Sequence, residues 1–239
     1  RILRKDKHLK QNIGKQIDIK LSHKSSLFNG LLIKYDSEGK VESCQVISSD
    51  RNAEKAEGIK VEIADIKQTP DGGYIVVGSE RYDAITFLPE DTVDGSTLTI
   101  ANPKSGGNSY PFIVKFNNEL KAEWIHALSD GGSSADYGQT YIDSYIEGNG
   151  DIVVIGQLGE QDRKILAEDT VDGNEIEMAR LGSGNKRAVI IKYRNDGKVI
   201  WAKTPNAIMN NGNKESYTAL STGFHKIEKM IHLLHLNRI

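Results

Sequence analysis

The sequence holds a single cysteine, Cys44, which rules out an intrachain disulfide and any zinc site built from cysteines of one chain. Long apolar runs are missing too. No stretch reaches the roughly 20 apolar residues that a bilayer-crossing helix needs, and the opening RILRKDKHLK is basic without the apolar segment of a signal peptide. Signatures of catalysis are equally scarce: there is no Gly-x-Ser-x-Gly elbow, no Gly-x-x-x-x-Gly-Lys phosphate loop, no His-Glu-x-x-His pair and no Asn-x-Ser/Thr acceptor. The glycines at 106, 107, 131 and 132 sit between β-patterned segments, without the strand-to-helix context of a nucleotide site.

What is present is enough apolar side chain to fill a core, 38% of the 239 residues, and a segregated charge. Residues 1 to 24 carry eight basic and two acidic side chains, while the net charge of the whole chain is -2, so the middle of the chain is acidic. An acidic body repels phosphate backbones, and nucleic-acid binding is not expected.

The chain repeats itself. Glu90-Asp91-Thr92-Val93-Asp94-Gly95 returns unchanged as Glu168 to Gly173, 78 positions later. Ile75-Val76-Val77-Gly78 is answered by Val153-Val154-Ile155-Gly156 at the same step, and Trp124 by Trp201 at 77. Phe112 to Phe116 is answered by Val189 to Tyr193, lysine for lysine, and Leu31-Leu32-Ile33-Lys34-Tyr35 is an earlier copy. Within one period, alternating or β-branched apolar runs are separated by glycine and asparagine, the residues of tight hairpins. The second full period predicts strands at 139 to 146, 151 to 158, 188 to 194 and 198 to 203. Between the second and third of these, the hexapeptide and a short strand at 175 to 179, matched by 97 to 101, predict a hairpin projecting from the sheet. Four strands per unit, repeated along the chain, predict an all-β fold of propeller-like blades, each a four-stranded antiparallel meander.

Thr69-Pro70-Asp71-Gly72-Gly73-Tyr74-Ile75-Val76-Val77-Gly78, the Glu90 to Gly95 turn, Ile191-Lys192-Tyr193 and Asp196-Gly197-Lys198-Val199-Ile200-Trp201-Ala202-Lys203 together resemble the bacterial β-propeller repeats found in tandem on secreted and cell-surface proteins. The resemblance covers residues 17 to 222. It implies an extracellular or cell-surface module with no shared catalytic residues. The second copy departs from the pattern, with Asn149-Gly150-Asp151-Ile152 where the first has Asp71-Gly72-Gly73-Tyr74. A basic segment, 1–16, precedes a partial blade at 17–57 and full blades at 58–134 and 135–212. The last residues, 223–239, break the pattern with apolar spacing that suits a helix. A ring needs about four to eight blades, so these two and a half form an open or incomplete propeller.

The strongest candidates for ligand chemistry are Asp91, Asp94, Asp169 and Asp172, whose carboxylates lie three positions apart within each copy of a repeated turn and could meet a hard cation. An ordinary Asp-Gly hairpin turn explains them more simply, since neither copy presents the five or more oxygens of a calcium loop. Trp124 and Trp201 read as packing residues between sheets. Lys34, Lys115 and Lys192 read as snorkelling or edge-protecting lysines. His232 and His235, three apart in the same tail as His225, would need a third ligand from elsewhere to hold a metal, and His126 has no histidine counterpart near Trp201. No catalytic residue, metal or cofactor is expected. The reading is a non-catalytic binding, adhesion or scaffolding module for a protein or carbohydrate ligand, able to self-associate through exposed blade edges. The alternative is a carbohydrate hydrolase or lyase using carboxylates such as Asp91 and Asp169.

Overall fold

The computed structural model describes residues 29–48, 60–81, 84–100, 109–130, 140–159, 162–179 and 187–204. The terminal segments 1–16 and 223–239 lie outside them, as do the ends of the partial blade. All described regular structure is β, apart from two single-turn 3-10 segments, Pro89–Asp91 and Ala167–Asp169.

Two antiparallel four-stranded sheets have the same plan. In the first, β3 (Lys60–Gln68), β4 (Tyr74–Arg81), β7 (Ser109–Phe116) and β8 (Ala122–Ala127) lie side by side in that order. In the second, β10 (Thr140–Ile146), β11 (Ile152–Leu158), β14 (Arg187–Tyr193) and β15 (Val199–Lys203) repeat it. Each predicted strand of the second period is present within a residue or so of its expected limits. Before them comes a two-stranded sheet of β1 (Gly30–Tyr35) and β2 (Val41–Ile47). Among the described residues the sheets do not close into a barrel or ring.

The hairpins share one turn. In Asp36–Lys40, Thr69–Gly73, Asn117–Lys121, Glu147–Asp151 and Arg194–Lys198 the first N–H donates to the fifth carbonyl, and the fourth N–H to the first carbonyl. The fourth residue must take positive φ, and it is Gly39, Gly72, Gly150 and Gly197 at +79°, +83°, +87° and +89°. Leu120 is the exception at φ 64°, held there by a buried side chain that is 3% exposed.

The glycine that ends Val76-Val77-Gly78 and Val154-Ile155-Gly156 has a structural cause. β3 and β10 each carry a bulge, between Ile63 and Asp65 and between Tyr141 and Asp143, and the bulged backbone crowds the neighbouring strand. A Cβ at Gly78 would sit 2.0 Å from the Glu62 carbonyl oxygen, and one at Gly156 2.5 Å from that of Thr140. Only glycine fits opposite the bulge.

Alternation along the strands then separates two cores. Ile75, Val77 and Ile113 on one face of the first sheet meet Tyr141, Ile152, Val154, Val189 and Ile191 of the second. Val76, Phe112, Val114 and Phe116 on the other face meet Leu32 and Ile47 of the β1–β2 sheet. The inserted hairpin does not project as expected. β5 (Ile85–Phe87) and β6 (Leu98–Ile100) fold back over the sheet, burying Ile85 and Phe87, with the Phe87 ring edge-on to Phe116 at 5.5 Å. Burial of that apolar face is the reason, since a free hairpin would leave it in water. The matching pair, β12 (Arg163–Ile165) and β13 (Ile176–Met178), also pairs with β9 (Ser129–Asp130), which follows the first sheet.

Candidate functional site

The four predicted carboxylates separate into two roles. Asp94 and Asp172 cap their own turn, Asp94 accepting from the Ser96 N–H and hydroxyl and Asp172 from the Asn174 N–H. Hydrogen bonds from the side chain and then the N–H of Ser96 and of Asn174 hold the Asp94 and Asp172 carboxyls below the usual range. Buried Thr92 and Thr170 tie the turn inward, and the Val93 and Val171 N–H groups donate to Ala122 and Val199 at the start of the last strand. Asp91 and Asp169 instead face the preceding sheet. Burial pushes Asp91 up, with Glu90 beside it adding to the effect and a hydrogen bond from Gln45 opposing it. Asp169 Oδ1 stands 3.7 Å from His126 Nδ1. Gln45 and His126 occupy matching places in β2 and β8, so the acidic turn touches the same point of its predecessor in both copies. Among the described residues, no group of three or more His, Cys, Asp or Glu side chains could hold a metal ion.

Lys34 and Lys115 form the main polar bridges between sheets. Lys115 and Lys192 are not edge residues, because β7 and β14 each run between two neighbours, and Lys115 is only 3% exposed. Lys115 Nζ donates to Asp71 Oδ2 at 2.6 Å and pairs with Glu123 at 3.0 Å within its own sheet, then reaches Asn195 Oδ1 of the next sheet at 2.8 Å. Lys34 does the same one unit earlier, donating to Asn118 Oδ1 at 2.8 Å and its carbonyl at 3.2 Å. Burial alone would lower the Lys115 amine, but the two carboxylates outweigh it and raise it. Asp71, which burial would raise, is held well below the usual range by Lys115, Thr69 and the Gly73 N–H.

Trp124 completes the second junction, its indole N–H donating to the Asn195 carbonyl at 3.0 Å and its ring stacked on Tyr193 at 6.3 Å. This fits its expected packing role. A Cβ at Gly197 would lie 2.8 Å from the indole, so a large residue on one side requires the smallest on the other. At the preceding junction the matching positions hold Ser43 and Leu120, and the bulk has changed sides.

Asp65 and Asp143, which sequence reasoning missed, are presented by the two bulges. Asp65 Oδ2 accepts from the Ser144 hydroxyl at 2.6 Å and its N–H at 2.9 Å, across the sheet junction, while Lys67 pairs with Asp65 at 2.9 Å and approaches Asp143 at 3.6 Å. Burial would raise both acids. The bonds from Ser144 and Lys67 leave Asp65 lowered, and Asp143 stays raised, with the Asp65 charge facing it. The signal was available: the two aspartates are 78 apart, the step of the hexapeptide, as Asn118 and Asn195 are 77 apart.

Among the described residues, one apolar strand face is open. On the face of β1–β2 turned away from the first sheet, Leu31, Ile33 and Tyr35 are 44%, 39% and 55% exposed, with Cys44 opposite Ile33 and Val46 opposite Leu31. Their counterparts Phe112, Val114 and Phe116, and again Val189, Ile191 and Tyr193, are exposed by 1% or less.

These features define an all-β protein of stacked antiparallel sheets joined by recurring polar bridges. Comparison with known proteins takes the identification no further: no protein-family model matches the chain, and no curated protein matches it. Among the described residues no helix is long and apolar enough to cross a membrane.

Proposed function

We propose that this chain is a non-catalytic binding or scaffolding module, a stack of β-propeller-type blades from a bacterial surface or secreted protein, and that it binds through the outer face of β1–β2. The exposed Leu31, Ile33 and Tyr35 carry this reading, because the same positions in the other two units are sealed. Contiguous exposed apolar surface of this kind marks an interaction site. The expected occupant is another unit of the same kind, since Leu32 and Ile47 of a preceding unit help cover the matching face of the first four-stranded sheet. Asp91 and Asp169 are turned to the preceding sheet, so no observation favours the carbohydrate enzyme over the binding module.

Sedimentation of the full chain over a range of concentrations tests the proposal. Association that weakens in Ile33→Lys and Tyr35→Lys is the expected result. A wild-type chain that stays monomeric throughout, or lysine variants that associate as strongly, overturns it.

A further inference from the structure

The two junctions differ at one position that touches an acid. The first places Gln45 against Asp91, and the second places His126 against Asp169. The His126 imidazole is three-quarters covered, wedged 5.5 Å from the Trp124 ring, 6.4 Å from the Tyr193 ring and against Gly197, where a Cβ would fall 2.9 Å from Nε2. It lines a small crevice with Lys164, Asp169, Tyr193 and Val199. At 3.7 Å the Asp169 carboxylate is beyond hydrogen-bonding reach of the ring.

We infer that His126 makes the junction between the two four-stranded sheets acid-labile, whereas Gln45 gives the preceding junction no imidazole to titrate. The charged groups facing the ring come from two segments, Asp169 and Lys164 from the inserted hairpin segment and Asp196 and Lys198 from the β14–β15 turn; Tyr193 adds none, its hydroxyl buried against Tyr141. Asp169 and Asp196 favour the imidazolium and Lys198 opposes it. Burial is the largest influence and sets the net direction, holding the imidazole below its ordinary value.

The sign follows from linkage. A histidine whose pKa is depressed in the closed junction binds its proton more readily once the junction opens, so closure is favoured at neutral pH and weakened by acid. Between the open-state value of about 6.5 and the lower closed-state value, the open-to-closed ratio rises about tenfold per pH unit, and below that window it levels off.

Exchange of the Trp124 indole proton in the full chain reads the opening, because that proton is donated across the junction to Asn195. A Trp201→Phe background makes the signal unique, and the His126 ring protons report its titration in the same sample. Correcting for intrinsic exchange, opening in the wild type should increase as pH falls below about 6.5, in step with a His126 titration midpoint below that value. The His126→Gln variant, which copies the other junction, should show no such increase. A His126 midpoint at or above about 6.5 overturns the inference, as does opening that is flat with pH in the wild type or equally steep in the variant. If the variant does not fold, the wild-type titration and exchange still decide.

Discussion

Replacing Lys115 by methionine isolates the bridge on which the second junction depends. The substitution keeps the buried stem and removes an amine with contacts at 2.6, 2.8 and 3.0 Å to Asp71, Asn195 and Glu123. A hydrogen bond to a charged group contributes about 1.5–3 kcal/mol when its partner stays dry. Asp71 and Glu123 keep 45% and 31% of their side-chain surface and would rehydrate, which cuts their share. Asn195 loses its donor across the junction. The expected cost is about 2 kcal/mol, or a fall of about 1 M in the urea midpoint for a slope near 2 kcal/mol/M. Lys192→Met is the control: its amine pairs only within its own sheet among the described residues, with Glu147 at 2.8 Å and Asp151 at 3.3 Å, and the expected loss is about 1 kcal/mol. Urea melts followed by Trp fluorescence measure both. A Lys115→Met loss below about 0.5 kcal/mol, or one no larger than the control, would refute the reasoning.

The lowered Asp71 and raised Lys115 should make this bridge's contribution constant through neutral pH, fading as acid protonates Asp71 and as alkali above the ordinary lysine range discharges Lys115; melts at acid, neutral and alkaline pH check it against Lys115→Met. Gly78→Ala should cost about 3 kcal/mol, because its Cβ meets backbone, whereas Gly95→Ala, at φ +72° with open space around it, should cost about 1 kcal/mol; equal losses in thermal melts would contradict the bulge explanation. Asp65→Asn should lower stability by about 1–2 kcal/mol at neutral pH through its bonds to Ser144 and Lys67, while Asp143→Asn should be neutral or stabilising because it removes a charge that Asp65 repels; shifts in the same direction would show that the two acids are not opposed.

The strands and their turns were legible because both rest on local rules: period-two alternation, and glycine where φ must be positive. The two-sheet plan followed from the repeat. What stood in the sequence without its meaning were the cross-junction partners. Lys115 looks like an intruder in an apolar strand until Asp71, 44 residues before it, and Asn195, 80 after it, are brought to its amine. The hexapeptide announced itself by repetition, yet nothing local distinguishes Asp94, which caps its own turn, from Asp91, which reaches another sheet. Asp65 and Asp143 escaped notice because their role depends on a bulge, and a bulge is invisible until the register of the partner strand is known.

Cys44 offers the most direct test of the proposed docking face, since it is the only thiol in the chain and pairs with Ile33 on that face. Its rate of modification by a small thiol reagent should fall as protein concentration rises and the face becomes covered, and the Tyr35→Lys variant should react at one rate at every concentration. A wild-type rate that does not change with concentration, under conditions where sedimentation shows association, would place the interface elsewhere and contradict the account.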